Sequence, residues 1–211
     1  MSVREAYDAW AATYDTDRNA TRDLDRAATE AALAGVHCGT IIELGCGTGK
    51  NTGFLARLGT RVLALDFSPA MLAQARRKVS AVQVAFAVAD LTAPWPCAAG
   101  AADLVAANLV FEHIAALPFV FGEAYRCLAA GGHLFVCELH PFRQYLGVQA
   151  RFRRGESDVA ITAFVHHLSD FLAAAGGAGL TLVELREWWD GGDRGAPPRL
   201  VSFLWRKVMG G

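Results

Sequence analysis

Two kinds of apolar pattern alternate along this chain. Residues 40–44, 61–65, 83–88, 104–107 and 133–139 are short runs apolar at almost every position, as in Ile41-Ile42 or Leu134-Phe135-Val136. Strands without a polar face belong in a parallel sheet covered on both sides. Between them the apolar positions recur every three or four residues, which predicts helices. Ser68-Pro69 supplies a cap and a first-turn proline, and Met71, Leu72, Ala75 and Val79 follow on one face. Pro118 opens another helix, with Phe121, Ala124, Tyr125 and Leu128 as its apolar face and Gly131-Gly132 as its stop. A third is expected over 164–175, from Phe164, Val165, Leu168, Phe171, Leu172 and Ala175, before Gly176-Gly177. Two closing strand-like runs, 180–187 and 200–208, flank a Gly/Pro-rich loop and read as antiparallel neighbours.

The alternation predicts a single α/β domain. Its core is a Rossmann-like, seven-stranded, mostly parallel sheet with an antiparallel last strand and helices on both faces. Residues 1–35 form a helical lead-in, 36–139 the core, 140–160 an insertion rich in Arg, Phe, Gln and Tyr, and 161–211 a closing helix and β-hairpin. The lead-in and the insertion both reach the C-terminal edge of the sheet, where open α/β sheets bind ligands.

Composition narrows the function. With 20 Lys and Arg against 21 Asp and Glu, the 211-residue chain carries a formal charge of −1, and no global field draws it to nucleic acid or anionic lipid. Five cysteines without a CxxC pair read as reduced thiols, and no apolar run is long enough to span a bilayer, so a cytoplasmic location is expected.

The candidate chemistry begins at Glu43-Leu44-Gly45-Cys46-Gly47-Thr48-Gly49, between a buried strand and a helical pattern. Glycines there let backbone approach a ligand closely. A dinucleotide loop needs a further glycine where Lys50 stands, and a Walker loop fails at Asn51, so the pattern suits a nucleoside ligand without a pyrophosphate. Asp66, about twenty residues on, has the offset of a ribose-binding acid. Asp90, at the end of the next strand, is placed to accept from an adenine amine.

These residues resemble the class I S-adenosylmethionine-dependent methyltransferases, in their small-molecule branch of type 11/12-like enzymes. Residues 43–49 resemble the family's first motif, Asp66-Phe67-Ser68-Pro69-Ala70-Met71-Leu72 the second and Asp90 the third. Residues 103–114, ending in Phe111-Glu112-His113-Ile114, resemble the segment around strand four, and Leu128-Ala129-Ala130-Gly131-Gly132 the turn before strand five. The resemblance implies S-adenosyl-L-methionine as cofactor and S-adenosyl-L-homocysteine as product. It implies Gly45, Cys46, Gly47 and Gly49 against the methionine moiety, with Glu43 toward its amino group. Asp66 would take the ribose, Phe67 and Met71 would flank the adenine, Asp90 and Leu91 would meet its edge, and Asn108 and Leu109 would lie by the methionyl tail. An activated methyl group needs mainly alignment and exclusion of water. The expected reaction is therefore transfer to an O, N or C atom of a small molecule, with an RNA or protein methyltransferase and a non-catalytic cofactor-binding subunit as rivals.

Candidates for a base or acceptor contact are His113 and His140, each at a strand end and each equally readable as structural. Tyr7, Tyr14, Phe142, Arg143, Tyr145 and His166 are candidate acceptor contacts from the lead-in, the insertion and the late helix; Arg143 also fits a surface ion pair, and Tyr7 and Tyr14 an amphipathic helix. Arg151-Phe152-Arg153-Arg154 mixes basic and aromatic residues but reads better as a solvated turn. No metal set with paired spacing is present.

Overall fold

The computed structural model describes residues 1–154 and 157–208, with backbone alone at 153–154. The chain enters through helices α1 (Val3–Trp10) and α2 (Ala20–Ala32). Ser2 caps α1 reciprocally with Glu5, and the Asn19 side chain accepts from Arg22 N–H to cap α2. Then follow β1 (Cys38–Leu44), α3 (Thr52–Leu58), β2 (Gly59–Asp66), α4 (Pro69–Lys78), β3 (Val84–Val88), β4 (Ala102–Asn108), α5 (Leu117–Cys127) and β5 (Leu128–Leu139). Helix α6 (Pro141–Tyr145), strands β6 (Arg151–Arg154) and β7 (Ser157–Ala160), helix α7 (Leu168–Gly177), β8 (Leu180–Trp188) and β9 (Leu200–Lys207) complete it.

Seven strands form one sheet in the order β3-β2-β1-β4-β5-β9-β8. The first five are parallel, and β9 inserts antiparallel to both β5 and β8. Ile42, Leu44, Val105 and Leu134 point to the layer holding α5 and α7; Ile41, Leu104, Phe135 and Cys137 point to the layer holding α2 and α3. Both faces are dry, which is why these strands carry no polar alternation.

Two expected helices differ. The one opened at Pro118 runs straight into β5, so Gly131-Gly132 lie inside a strand, beside the register shift between Ala102 and Leu104. The late helix starts at Leu168 rather than Phe164, because Phe164 N–H is taken by the Glu112 carbonyl at 2.7 Å and Asp170 accepts from His167 N–H at 2.8 Å. The apolar pattern over 164–167 is accordingly exposed at Phe164 and Val165.

The insertion folds into the β6–β7 hairpin, which periodicity did not predict. It packs on the lead-in: Trp10 stacks on Phe152 with ring centroids 5.7 Å apart, and Ala6 and Ile161 are buried with them. The side chains of Arg153 and Arg154 lie outside the described residues. No helix among the described residues is long and apolar enough to cross a membrane.

Candidate active site

Strand order reverses between β1 and β4, and a crevice opens beyond their carboxyl ends. The turn leaving β1 is built by glycines that other residues would not replace. Gly45 sits at φ +64°, and a Cβ there would lie 2.5 Å from the Val110 side chain. Gly47, at φ +53°, has open space where its Cβ would point. Opposite, Leu109 holds a positive φ of 53° as the chain leaves β4, a costly conformation for a branched residue. Glu138 of β5 fixes this second turn by accepting Val110 N–H and Phe111 N–H at 3.0 and 2.9 Å.

The main cleft has about 700 Å³ of free space, its mouth included. Gly45, Gly47, Asp66, Phe67, Met71, Asp90, Leu91, Asn108 and Leu109 line it, with Tyr7, Tyr14 and His113 above. Asp66 ties the cleft together, accepting Gly47 N–H and Ser68 N–H at 2.8 Å each. Burial pushes its carboxyl up to about 6, although those two bonds favour the charged form. Asp90 accepts from the backbone and hydroxyl of Thr92.

A smaller cavity adjoins, lined by Arg22, Asp25, Glu43, Cys46, Asn51 and Asn108, and it shares Tyr14, Gly45, Gly47, Asn108 and Leu109 with the cleft. Asp25 accepts one amide hydrogen bond from Asn51 and one from Asn108, at 2.9 and 2.7 Å. Both amide carbonyl oxygens are buried without a partner among the described residues, as is Arg22 Nε. Glu43, held by the Thr52 hydroxyl at 2.6 Å, is pushed up to about 8 by burial and the nearby acids Asp66 and Asp25. Burial also raises Asp25. Unused acceptors, an unused guanidinium donor and uncompensated acids fit a ligand end bearing both an ammonium and a carboxylate. The free amino-acid end of S-adenosylmethionine has that chemistry.

A third cavity lies on the far side of Tyr7, Tyr14 and Leu109, with about 910 Å³ of free space, its mouth included. Trp10, Glu112, Leu139, Val148, Ala150 and Arg199 also line it. His113 lines the main cleft and touches Tyr7, which lines both cavities. Its Nδ1 lies 2.8 Å from the Thr162 carbonyl and so carries the proton; Nε2 then accepts from the Tyr7 hydroxyl at 2.8 Å. Burial lowers the His113 pKa, keeping the ring neutral.

Other expected contacts lie elsewhere. His140 is a correction: its Nδ1 accepts Phe142 N–H as the cap of α6, its Nε2 faces Glu187 at 3.0 Å, and no lone pair is left for a base. Arg143 is another, because its guanidinium ties the 190–198 loop through Asp190 and the carbonyls of Pro197 and Pro198. Phe142 and Tyr145 are exposed on α6. His166 is buried with Nε2 donating to the Ile114 carbonyl, away from the cleft. Gly49 packs toward Ala75 and Val79 instead of the ligand space. Among the described residues, no cluster of His, Cys, Asp or Glu is arranged to hold a metal.

The sequence reading missed Arg22, Asp25, Glu112 and Glu138. Only Arg22 and Asp25 left a signal, as charges on the face of α2 that an amphipathic helix would bury. Arg22 is held by the carbonyls of Tyr14 and Asp17, with its guanidinium 4.0 Å from the Tyr14 ring centroid.

Residues 42–136 match the family model described as a methyltransferase domain. An uncharacterized methyltransferase, AN0656 of Emericella nidulans, is 31% identical over 220 residues, spanning 86% of this chain and 76% of its own. The demethylmenaquinone methyltransferase of Thermus thermophilus is 42% identical over 106 residues, spanning 48% of this chain and 47% of its own, so the match covers about half of either protein. Among solved structures, the N-methyltransferase NodS from Bradyrhizobium japonicum WM9, in complex with S-adenosyl-L-homocysteine, superposes with a TM-score of 0.73 over 99% of this chain and 100% of its own. Its identity of 16% makes that a likeness of fold.

Proposed function

This chain belongs to the S-adenosylmethionine-dependent methyltransferases, and we propose that it methylates an O, N or C atom of a small molecule. The observation that carries the proposal is the third cavity, set against the cofactor cleft and lined by Tyr7 and Trp10 of α1 and by residues 148–151. It is a concave pocket, partly open to solvent, whose size suits a metabolite-sized acceptor better than a polymer. A net charge of −1 favours it too, since polynucleotide substrates call for a basic surface.

In this reading Asp66 holds the ribose, Phe67 and Met71 flank the adenine, and Asp90 and Leu91 meet its edge. Arg22 would take the carboxylate of the amino-acid end, while Asn108, Asn51, Glu43 and Asp25 would take its ammonium. The bound cofactor supplies a methyl group already activated on a sulfonium sulfur. The protein's part is to orient the acceptor beside it and exclude water, for which effective-molarity gains of about 7–11 kcal/mol are the precedent. In this reading residues 7–15 and 141–154 roof the site, with Trp10 stacked on Phe152. His113, neutral and with Nε2 accepting from the Tyr7 hydroxyl, receives the acceptor's proton through that hydroxyl.

Two measurements test this. Incubating the protein with methyl-labelled cofactor and a metabolite extract should place label in small molecules; label confined to RNA or protein would overturn the proposal. On the acceptor so found, His113→Gln should lower kcat about tenfold and remove the ascending limb of the pH profile, leaving S-adenosylhomocysteine affinity within about threefold. An unchanged pH profile would remove His113 from the proton path.

A further inference from the structure

Four buried polar atoms among the described residues lack a partner, and three of them belong to residues lining the amino-acid end of the cofactor site. The fourth, Glu112 Oε2, does not. Glu112 is 8% exposed and lines the third cavity. Its carboxylate makes no hydrogen bond among the described residues. The nearest ring nitrogen, His113 Nε2, is 3.7 Å from Oε1 and is already accepting from Tyr7. Three arginines line the cavity, and none forms an ion pair with Glu112 among the described residues: Arg199 is held by Asp190 and Thr21, Arg22 by two carbonyls, and Arg151 lies beyond ion-pair distance of it. Burial pushes the Glu112 carboxyl up to about 7.

A buried acid left without donor or cation is costly unless a ligand completes it. A carboxylate-bearing acceptor would place like charge against Glu112, and a hydroxyl would bring one hydrogen bond but no charge. An ammonium brings both charge and several N–H donors. The site of that pairing adjoins the cofactor cleft across Tyr7 and Leu109, which line both.

Resting on the small-molecule reading above, we infer that the acceptor is a primary or secondary amine anchored by Glu112. The Glu112 carboxylate holds the ammonium, which gives one proton to the Tyr7 hydroxyl as that hydroxyl passes its own to His113 Nε2. The freed nitrogen lone pair forms the new N–C bond while the breaking C–S pair stays with sulfur. The His113 proton passes to water as the methylated ammonium leaves.

The test uses benzylamine and n-hexylamine against benzyl alcohol, hexanol, benzoate and hexanoate, with the wild-type protein, Glu112→Gln and Glu112→Asp. Calorimetry with S-adenosylhomocysteine comes first, and all three proteins should bind it within about threefold of one another. Loss of that binding in the wild type would sink the methyltransferase reading itself, and this inference with it. With the product bound at pH 8, the amines alone should raise the wild-type Tm, by at least 2 °C, and methyl transfer to them should be detected. Glu112→Gln should cut kcat/KM for the amine at least tenfold, chiefly through KM, with partial recovery in Glu112→Asp. Cofactor binding without an amine-specific shift, transfer to the alcohols or carboxylates instead, or full amine activity in Glu112→Gln would each overturn the amine assignment while leaving the family reading intact.

Discussion

Replacing Asp66 by Ala should weaken S-adenosylhomocysteine binding roughly 10²–10⁴-fold, because two charge-assisted hydrogen bonds to ribose hydroxyls are worth about 1.5–3 kcal/mol each. The Asp66 oxygens already accept Gly47 N–H and Ser68 N–H, and a carboxylate retains lone pairs beyond those two. The Ala variant therefore loses two things at once: the proposed sugar contact and the bond that holds the glycine turn against β2. Asp66→Asn separates them. It keeps the shape but turns one acceptor into a donor; with the amide oxygen kept on Gly47 N–H the glycine turn's bond survives, and the amide nitrogen then opposes Ser68 N–H. Affinity should fall in the same direction, while the unliganded Tm stays within a few degrees of wild type. Calorimetry and thermal melts on both variants decide the matter. A dissociation constant within threefold of wild type for Asp66→Ala would remove this residue from the ligand site.

The parts of the fold and site that could be read from sequence are those where a local pattern and the tertiary demand coincide. Strands β1, β2, β4 and β5 are buried on both faces, so their apolar runs needed no partner to be interpreted. Gly45, Gly47 and Asp66 belong to one turn and the strand beside it, and their spacing carries the geometry. What escaped depends on contacts distant in sequence. Asp25 on α2 meets Asn108 at the end of β4, 83 residues away, and nothing local marks either as a partner. Glu138 sits in an apolar strand and looks like an interruption until it is seen clamping Val110 and Phe111. His140 had the right strand-end position for a base, but the proline after it begins a helix, and the imidazole became that helix's cap. The β6–β7 hairpin was hidden because its single buried aromatic, Phe152, packs on the lead-in helix and not on the sheet.

Affinity for S-adenosylhomocysteine should rise on the order of 10²-fold between pH 5 and 7.5, and the unliganded protein should lose stability over the same range. The affinity change follows from Glu43, whose carboxyl burial pushes up to about 8, and the stability change from Glu43 together with Glu138, which burial pushes equally far. A carboxyl raised in the folded state stabilises the fold fully below the unfolded value, near 4.5, and that contribution is lost as pH climbs toward 8. Asp66, raised to about 6, acts in the same direction over a narrower window. In the unliganded protein the ionised acids repel one another and lack water, so Tm should drop by roughly 5–10 °C from pH 5 to 8. A ligand ammonium reverses the balance. It pairs with ionised Glu43, so binding releases the proton that the buried acid would otherwise keep, and affinity climbs with pH until the carboxyl is ionised without help. The climb should stop near pH 8, where the Glu43 carboxyl is ionised without the ligand. Glu43→Gln should flatten the affinity curve, holding affinity near its pH 5 value, and should remove only part of the fall in Tm, because the buried Glu138, Glu112 and Asp66 carboxyls supply the rest. Calorimetry in buffers of different ionisation enthalpy would count the released proton directly. A pH-independent affinity in the wild type, or a Glu43→Gln profile that parallels it, would show that the ammonium is held elsewhere.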